Sequence, residues 1–196
     1  MPEDPIRTVD GQPLSTKSAQ LLEYLHSRAA SLGPAGIRDR VRASVNEFET
    51  AAASAGEEEA RRRSIPGKWN IAEIVDHVAQ TQIRSAEELR HLLAGKRPPS
   101  PPVYEGLRSG APDWAPWPEL LDGLRAANAE VVSLLATAAE APVPTPATVP
   151  AILVVESQKF VAELGWREYA LCCRLHLIDH RNQIKKLRAA AATAAV

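Results

Sequence analysis

The sequence predicts an all-α protein in which four long helices form a four-helix bundle. The 16 prolines are clustered, and they leave Pro-free blocks long enough for helices at 14–33, 35–65, 67–97, 119–141 and 151–196. Within these blocks apolar residues recur at helical spacing, and alanine, the best helix former, is abundant. β-Branched alternation is nearly absent, and the stretch 152–155 (Ile-Leu-Val-Val) is the one candidate strand.

The composition excludes several classes of protein. Hydrophobic residues make up 45% and charged residues 24%, which is typical of a globular domain and not of a disordered chain. Lys and Arg (23) balance Asp and Glu (24), so we expect no nucleic-acid partner. No apolar run approaches the roughly 20 residues that span a bilayer, and no secretory signal pattern is present. We therefore expect a soluble, cytoplasmic protein.

The N-terminal half of the chain contains two amphipathic stretches before the second long helix. Residues 1–33 contain a short amphipathic stretch (Leu21, Leu22, Leu25, Ala29) and are predicted to be a separate arm or extra helix. Residues 34–196 are predicted to form the bundle domain. Its first helix has an apolar stripe spaced by four, four and three residues, at Ile37, Val41, Val45 and Phe48.

The other three helices have recognisable ends. Asn70, followed three residues later by Glu73, resembles a capping box that begins the second helix, and Gly95 ends it. Pro118 suits the first turn of the third helix. The fourth helix is predicted to begin after Gly165 and to continue into an alanine-rich tail.

Two histidines on this fourth helix are the most informative residues. His176 and His180 lie four residues apart, on the same helical face as Cys173 and Ile184, so both imidazoles are predicted to face the core. Burying two imidazoles is costly unless their nitrogens find partners, and a metal ion would serve both. The residues alone leave a second interpretation equally open, in which these are ordinary core histidines with hydrogen-bond partners.

His77, on the second helix, lies near the edge of its apolar stripe. Alone it is typical of a boundary residue. Combined with an inward pair on another helix, it would complete a three-histidine site, which leaves coordination positions open to water or substrate.

Two motifs then resemble a known family. The stretch 66–78 (Pro-Gly-Lys-Trp-Asn-Ile-Ala-Glu-Ile-Val-Asp-His-Val) is similar to the Pro-Gly-Lys-Trp-Ser-x-x-Glu-x-x-x-His-Leu signature of the DinB-like superfamily (DinB/YfiT type). The Leu-Gly turn at 164–165, and the His-x-x-x-His and Gln-Ile within 176–184, resemble that family's closing motif. Their order and spacing agree over residues from about 34 to 188.

The resemblance implies a four-helix bundle with unusual connectivity that often forms a homodimer. It implies a divalent metal, zinc or nickel, on the three histidines that match the motifs: His77, His176 and His180. Members of the wider family include thiol-dependent transferases and isomerases, and others are regarded as hydrolases. A thiol S-transferase that acts on a small molecule in detoxification or stress response is therefore our leading hypothesis, and no general base is identified.

Further residues are candidates for the pocket: Trp69, Tyr169, Cys173 and Gln183. Cys173 lies one turn before His176 and could approach the metal, although a buried cysteine is more often a small hydrophobic residue. Asp76 and Asp179 each precede a proposed ligand, and either could accept a hydrogen bond that supports that ligand. Because adjacent helix residues diverge by about 100°, we expect both carboxylates to face solvent.

The residues and the resemblance leave two other functions open. The protein could be a non-catalytic metal-binding module for stress or interaction, or a family member without metal whose histidines bond to one another or to water.

Overall fold

The computed structural model describes residues 6–138 and 146–194 and confirms the mainly helical fold. Its helices are α1 (Thr16–Ser31), α2 (Pro34–Ala53), α3 (Glu57–Arg61), α4 (Ile71–Leu93), α5 (Trp117–Ala136) and α6 (Trp166–Ala194). Its strands are β1 (Ile6–Thr8), β2 (Val149–Val155) and β3 (Gln158–Leu164). A 3-10 turn, Ala111–Asp113, precedes α5.

The helix ends follow the predicted signals. In the capping box at the start of α4, the Asn70 side chain accepts a hydrogen bond from the Glu73 N–H, and the Glu73 carboxylate accepts one from the Asn70 N–H. Gly95 follows the end of α4 at φ +70°, a conformation that glycine adopts without strain. Helix α6 begins directly after Gly165, as expected.

The four long helices pack as a bundle around one core. Their contacts place them in the order α2, α5, α4, α6 around the bundle axis. The apolar stripes predicted from spacing face inward, and several of their largest side chains are fully buried: Ile37, Phe48, Ile71, Ile74, Leu89, Leu92, Leu124 and Leu135. Since burial of such side chains is the main stabilising term, this interior fixes the helices that carry the candidate site.

A small antiparallel sheet is the feature that the sequence largely missed. Strand β3 lies in its centre, between β1 and β2. The candidate stretch 152–155 belongs to β2, whereas β1 and β3 were not predicted. In β3 the alternating side chains of Phe160, Ala162 and Leu164 are buried, which is the period-two pattern of a strand with one face on the core.

The N-terminal residues pack on the same core as the bundle. Leu22, Leu25 and Ala29 of α1 are buried within it, and β1 pairs with β3. The separate arm at 1–33 and the bundle domain at 34–196 stay a prediction. No described helix combines the length and hydropathy needed to cross a membrane.

Candidate metal centre

Three imidazole rings converge where α4 and α6 pack together. His77 comes from the second turn of α4, and His176 and His180 lie one turn apart on α6. The Nε2 atom of His176 lies 3.0 Å from Nε2 of His77 and 3.0 Å from Nε2 of His180. The ring centroids are 4.3–5.0 Å apart. The structure therefore brings together the three histidines that the sequence proposed as ligands.

The outer nitrogens of two rings fix their tautomers. Nδ1 of His77 lies 2.8 Å from the carbonyl oxygen of Leu107, which only accepts hydrogen bonds, so this nitrogen carries the proton. Nδ1 of His180 lies 3.1 Å from Oε1 of Gln183. The orientation of that amide is set because its Nε2 donates to Asp179 at 2.6 Å. In the neutral rings, Nε2 of both His77 and His180 therefore bears a lone pair.

Burial favours the neutral form of all three rings. It lowers the pKa of His77, although the hydrogen bond to Leu107 opposes the shift. It lowers the pKa of His180 to about 4, and the neighbouring His77 ring acts in the same direction. The pKa of His176 falls well below its ordinary value, because the ring is buried and faces the other two. Neutral imidazole is the form that binds metal ions.

This donor set fits a cation. Only His176 can carry a proton on Nε2, and a single N–H cannot satisfy the lone pairs of both His77 and His180. Two nitrogens that are each about 2.1 Å from one zinc ion lie at most about 4.2 Å apart. The observed 3.0 Å separations are within that limit. A divalent ion would give a partner to every Nε2 atom.

Trp69 forms a wall of the centre. Its half-buried ring lies 4.9 Å from the His77 ring and is stacked with the His180 ring at 6.5 Å. The Arg108 guanidinium lies 5.1 Å from the centroid of the Trp69 ring, within the range of a cation–π contact. Trp69, a candidate pocket residue in the sequence, thus lies beside two of the three histidines.

Tyr169 and Cys173 lie one to two turns away from the histidines along the same interface. The Tyr169 hydroxyl lies 3.2 Å from Oγ of Ser85 and interacts with Glu88, and the Cys173 thiol interacts with Ser85. We call Ser85, Glu88, Tyr169, Cys172 and Cys173 the second polar cluster. Among the described residues, the side chains close enough to share a metal ion are His77, His176 and His180, without Cys173.

Of the two carboxylates that were expected to face solvent, one is exposed and the other is buried. Asp179 is exposed, as the helical geometry predicted, and it supports Gln183. The prediction for Asp76 was wrong, since this residue is only 3% exposed. Its carboxylate accepts hydrogen bonds from the Ser109 N–H at 2.8 Å and the Ser109 hydroxyl at 2.6 Å. The loop between α4 and α5 folds back over α4, and this covers the face that carries Asp76.

The loop residues at this point had no sequence signal. Leu107, Arg108 and Ser109 lie 30 or more positions from their partners on α4, and no motif marks them. Arg108 donates to Glu73 at 2.6 Å. Burial favours a raised pKa for Glu73, but the Asn70 N–H and the guanidinium groups of Arg108 and Arg63 hold that pKa below its ordinary value.

The match to a protein family covers most of the chain, including the centre. The family model of the DinB superfamily matches residues 38–184. The chain belongs to the DinB superfamily. The matched region contains α4, the loop and the part of α6 that carries both histidines, whereas α1 lies outside it. No curated protein and no solved structure matches the chain.

Proposed function

We propose that this DinB-superfamily protein binds one divalent ion, zinc or nickel, through Nε2 of His77, His176 and His180. One observation carries the proposal: lone pairs on two buried rings point at a third ring that has at most one proton to share. Burial disfavours protonation of any of them. A cation at this point removes the conflict without charging a ring.

Several features of the chain would prepare such an ion for chemistry. Three nitrogen ligands leave at least one coordination position for a small molecule, which is characteristic of catalytic zinc sites. When bound, a divalent ion acts as a Lewis acid and lowers the pKa of a coordinated water or thiol. Trp69 shields one side of the centre, and the Leu107 carbonyl and Gln183 hold two of the rings in the ligating tautomer.

The surroundings favour thiol transfer over chemistry that needs a carboxylate base. Both oxygens of Asp76 are bound to Ser109, and both oxygens of Glu73 are bound to arginine or backbone groups. A small thiol with a pKa near 8.5 already supplies some thiolate at neutral pH, so no such base is required. In the proposed reaction the sulfur bonds to an electrophilic carbon, the leaving group departs with the bonding pair, and the thiol proton goes to solvent.

A metal-free role is the second candidate, and one observation favours it. The Nε2 separations of 3.0 Å are also hydrogen-bond distances, so a proton on His176 could hold the rings together. In that case the protein would be a structural or interaction module. A metal centre without catalysis is the intermediate possibility. Following the resemblance, we also propose that the protein forms a homodimer, which light scattering tests.

Metal content separates these candidates. Elemental analysis of protein purified without a histidine tag, followed by zinc and nickel titration, is expected to give one ion per chain. His176→Ala should weaken binding by at least about 100-fold, because two nitrogens cannot replace three. Two controls should bind as the wild type: His26→Ala, whose side chain is 56% exposed on α1, and Cys173→Ser, one turn from His176.

The outcome then directs the test of activity. Wild-type protein that takes up neither ion would contradict the metal centre and leave the metal-free role. If the ion binds, glutathione or cysteine is offered with 1-chloro-2,4-dinitrobenzene, and release of the coloured thioether is followed. Turnover that His176→Ala abolishes and His26→Ala retains would support a transferase. Metal binding without turnover across a panel of thiols and electrophiles would favour the non-catalytic module.

A further inference from the structure

Three consecutive loop residues make contacts with one face of α4. The Leu107 carbonyl accepts from His77, Arg108 donates to Glu73, and Ser109 donates twice to Asp76. On α4, residues 73, 76 and 77 are related by helical spacings of three and four, so they share one face. The loop therefore crosses α4 in a fixed register, with each of its three residues on a different partner.

The contact at Asp76 is the most closely fitted of these. Asp76 is 3% exposed, and each of its carboxylate oxygens accepts one donor from Ser109, at 2.8 Å from the backbone and 2.6 Å from the hydroxyl. Charge-assisted hydrogen bonds of this kind are about twice as strong as neutral ones. Ser109 Oγ also accepts the Ala111 N–H at 3.0 Å, which extends the fixed segment toward the 3-10 turn.

We propose that Asp76 is a positioning residue for His77: by holding Ser109, it keeps the Leu107 carbonyl on Nδ1 of His77 and so directs the Nε2 lone pair into the centre. Leu107 contributes through its backbone, so its side chain does not determine the contact. The carbonyl stays in place only if the loop is anchored, and Asp76 anchors the residue two positions further on. Such outer contacts commonly change metal affinity by about 10–100-fold.

The consequence for metal binding rests on the proposed function, whereas the effect on the tautomer does not. The tautomer of His77 is measurable in metal-free protein by two-bond ¹H–¹⁵N correlation after ¹⁵N-histidine labelling, with the signals assigned through His77→Gln. Wild-type protein is expected to show His77 protonated at Nδ1. Asp76→Ala should shift His77 toward the Nε2-protonated form and weaken zinc binding by about 10–100-fold.

Two further variants separate positioning from general damage to the fold. Asp76→Asn can still accept the Ser109 N–H and donate to its hydroxyl, so it should restore the wild-type tautomer and most of the zinc affinity. Ser109→Ala removes one of the two hydrogen bonds from an exposed loop position and should show a smaller shift in the same direction. Asp122→Ala, an exposed carboxylate on α5 that pairs with Arg125, is the matched control and should change nothing.

The possible results distinguish the two proposals. A wild type that binds neither zinc nor nickel but whose His77 tautomer depends on Asp76 would overturn the metal centre and support the positioning role. A folded Asp76→Ala protein with unchanged tautomer and affinity would overturn the positioning role and leave the metal centre intact. If Asp76→Ala does not fold, as judged by circular dichroism, Ser109→Ala decides: an unchanged tautomer and affinity would overturn the positioning role.

Discussion

The interface between α4 and α6 contains two clusters of polar side chains: the three histidines and the second polar cluster. Burial shifts the pKa values of the two clusters in opposite directions. It lowers the pKa values of the three histidines, and it raises those of Glu88, Tyr169 and Cys172 in the second polar cluster. The cause is the same in both, since a buried site disfavours whichever form is charged. A neutral imidazole keeps a lone pair that can bind a cation, whereas a neutral carboxyl, phenol or thiol keeps its proton.

This difference explains why adjacent sites differ as candidate metal ligands. The Nδ1 atoms of His77 and His180 have hydrogen-bond partners, whereas the Nε2 atoms of the three histidines face one another. The Nε2 lone pairs therefore require a partner that lies between the rings. In the second polar cluster the Tyr169 hydroxyl interacts with Ser85 and Glu88, and the Glu88 carboxyl adds to the raised pKa values of both thiols. Burial therefore favours the lone-pair form of the three histidines and the protonated form of the side chains in the second polar cluster.

The contrast between the histidines and the second polar cluster is expected to have its largest effect on the reactivity of the thiols. Burial raises the pKa of Cys172 from 9.0 to about 12 and that of Cys173 further. Because the thiolate is the reactive form, labelling by 5,5′-dithiobis(2-nitrobenzoate) at pH 8 should be about 1,000-fold slower in folded than in denaturant-unfolded protein. Rapid labelling of both thiols in the folded protein would show that burial does not keep Cys172 and Cys173 in their protonated form.

The pH dependence of zinc affinity is the next effect. Burial lowers the pKa of His180 to about 4, so protons should compete with the metal only well below pH 6.5, the ordinary imidazole pKa. Affinity should then fall by about tenfold per pH unit for each ring that must lose a proton. Competition titrations between pH 5 and 8 measure this, and an affinity that already falls by about tenfold or more per pH unit between pH 6.5 and pH 5 would contradict the shift.

The smallest expected effect is on stability at Glu88. This side chain is 2% exposed, and Oε1 has no hydrogen-bond partner among the described residues, with Arg84 3.9 Å away. Its folded pKa is raised above the ordinary value of 4.5, so its contribution to stability is present below pH 4.5 and is lost as pH rises through the folded pKa. Glu88→Gln should therefore be more stable than wild type at pH 8, by about 1–3 kcal/mol.

Urea denaturation at pH 8 and pH 4 tests this sign. The advantage of Glu88→Gln should be largest at pH 8 and nearly absent at pH 4, where both side chains are neutral. Glu87→Gln, its exposed neighbour on α4, is the control and should change stability little at either pH. A Glu88→Gln protein that is less stable than wild type at pH 8 would indicate that the buried carboxylate is charged and usefully paired.

Local signals in the sequence determined much of the helical framework. The capping box at Asn70 and Glu73, the end of α4 at Gly95 and the start of α6 after Gly165 depend on residues within a few positions of one another. The family motifs likewise place His77 on the predicted second helix of the bundle, and His176 and His180 on the predicted fourth helix. The support of His180 by Gln183 is also local, because the two residues are three positions apart on one helix.

Only the tertiary structure decided the contacts that join distant segments. The sheet joins β1 and β3 across most of the chain, and β2 and β3 turn at Glu156 without the glycine or asparagine that marks many hairpins. Asp76 was predicted to face solvent, because a helical wheel does not include the loop that returns 33 residues later to cover it. The sequence by itself determined which histidines share helix faces; the fold of the loop decided which nitrogen of His77 is left to bind a ligand.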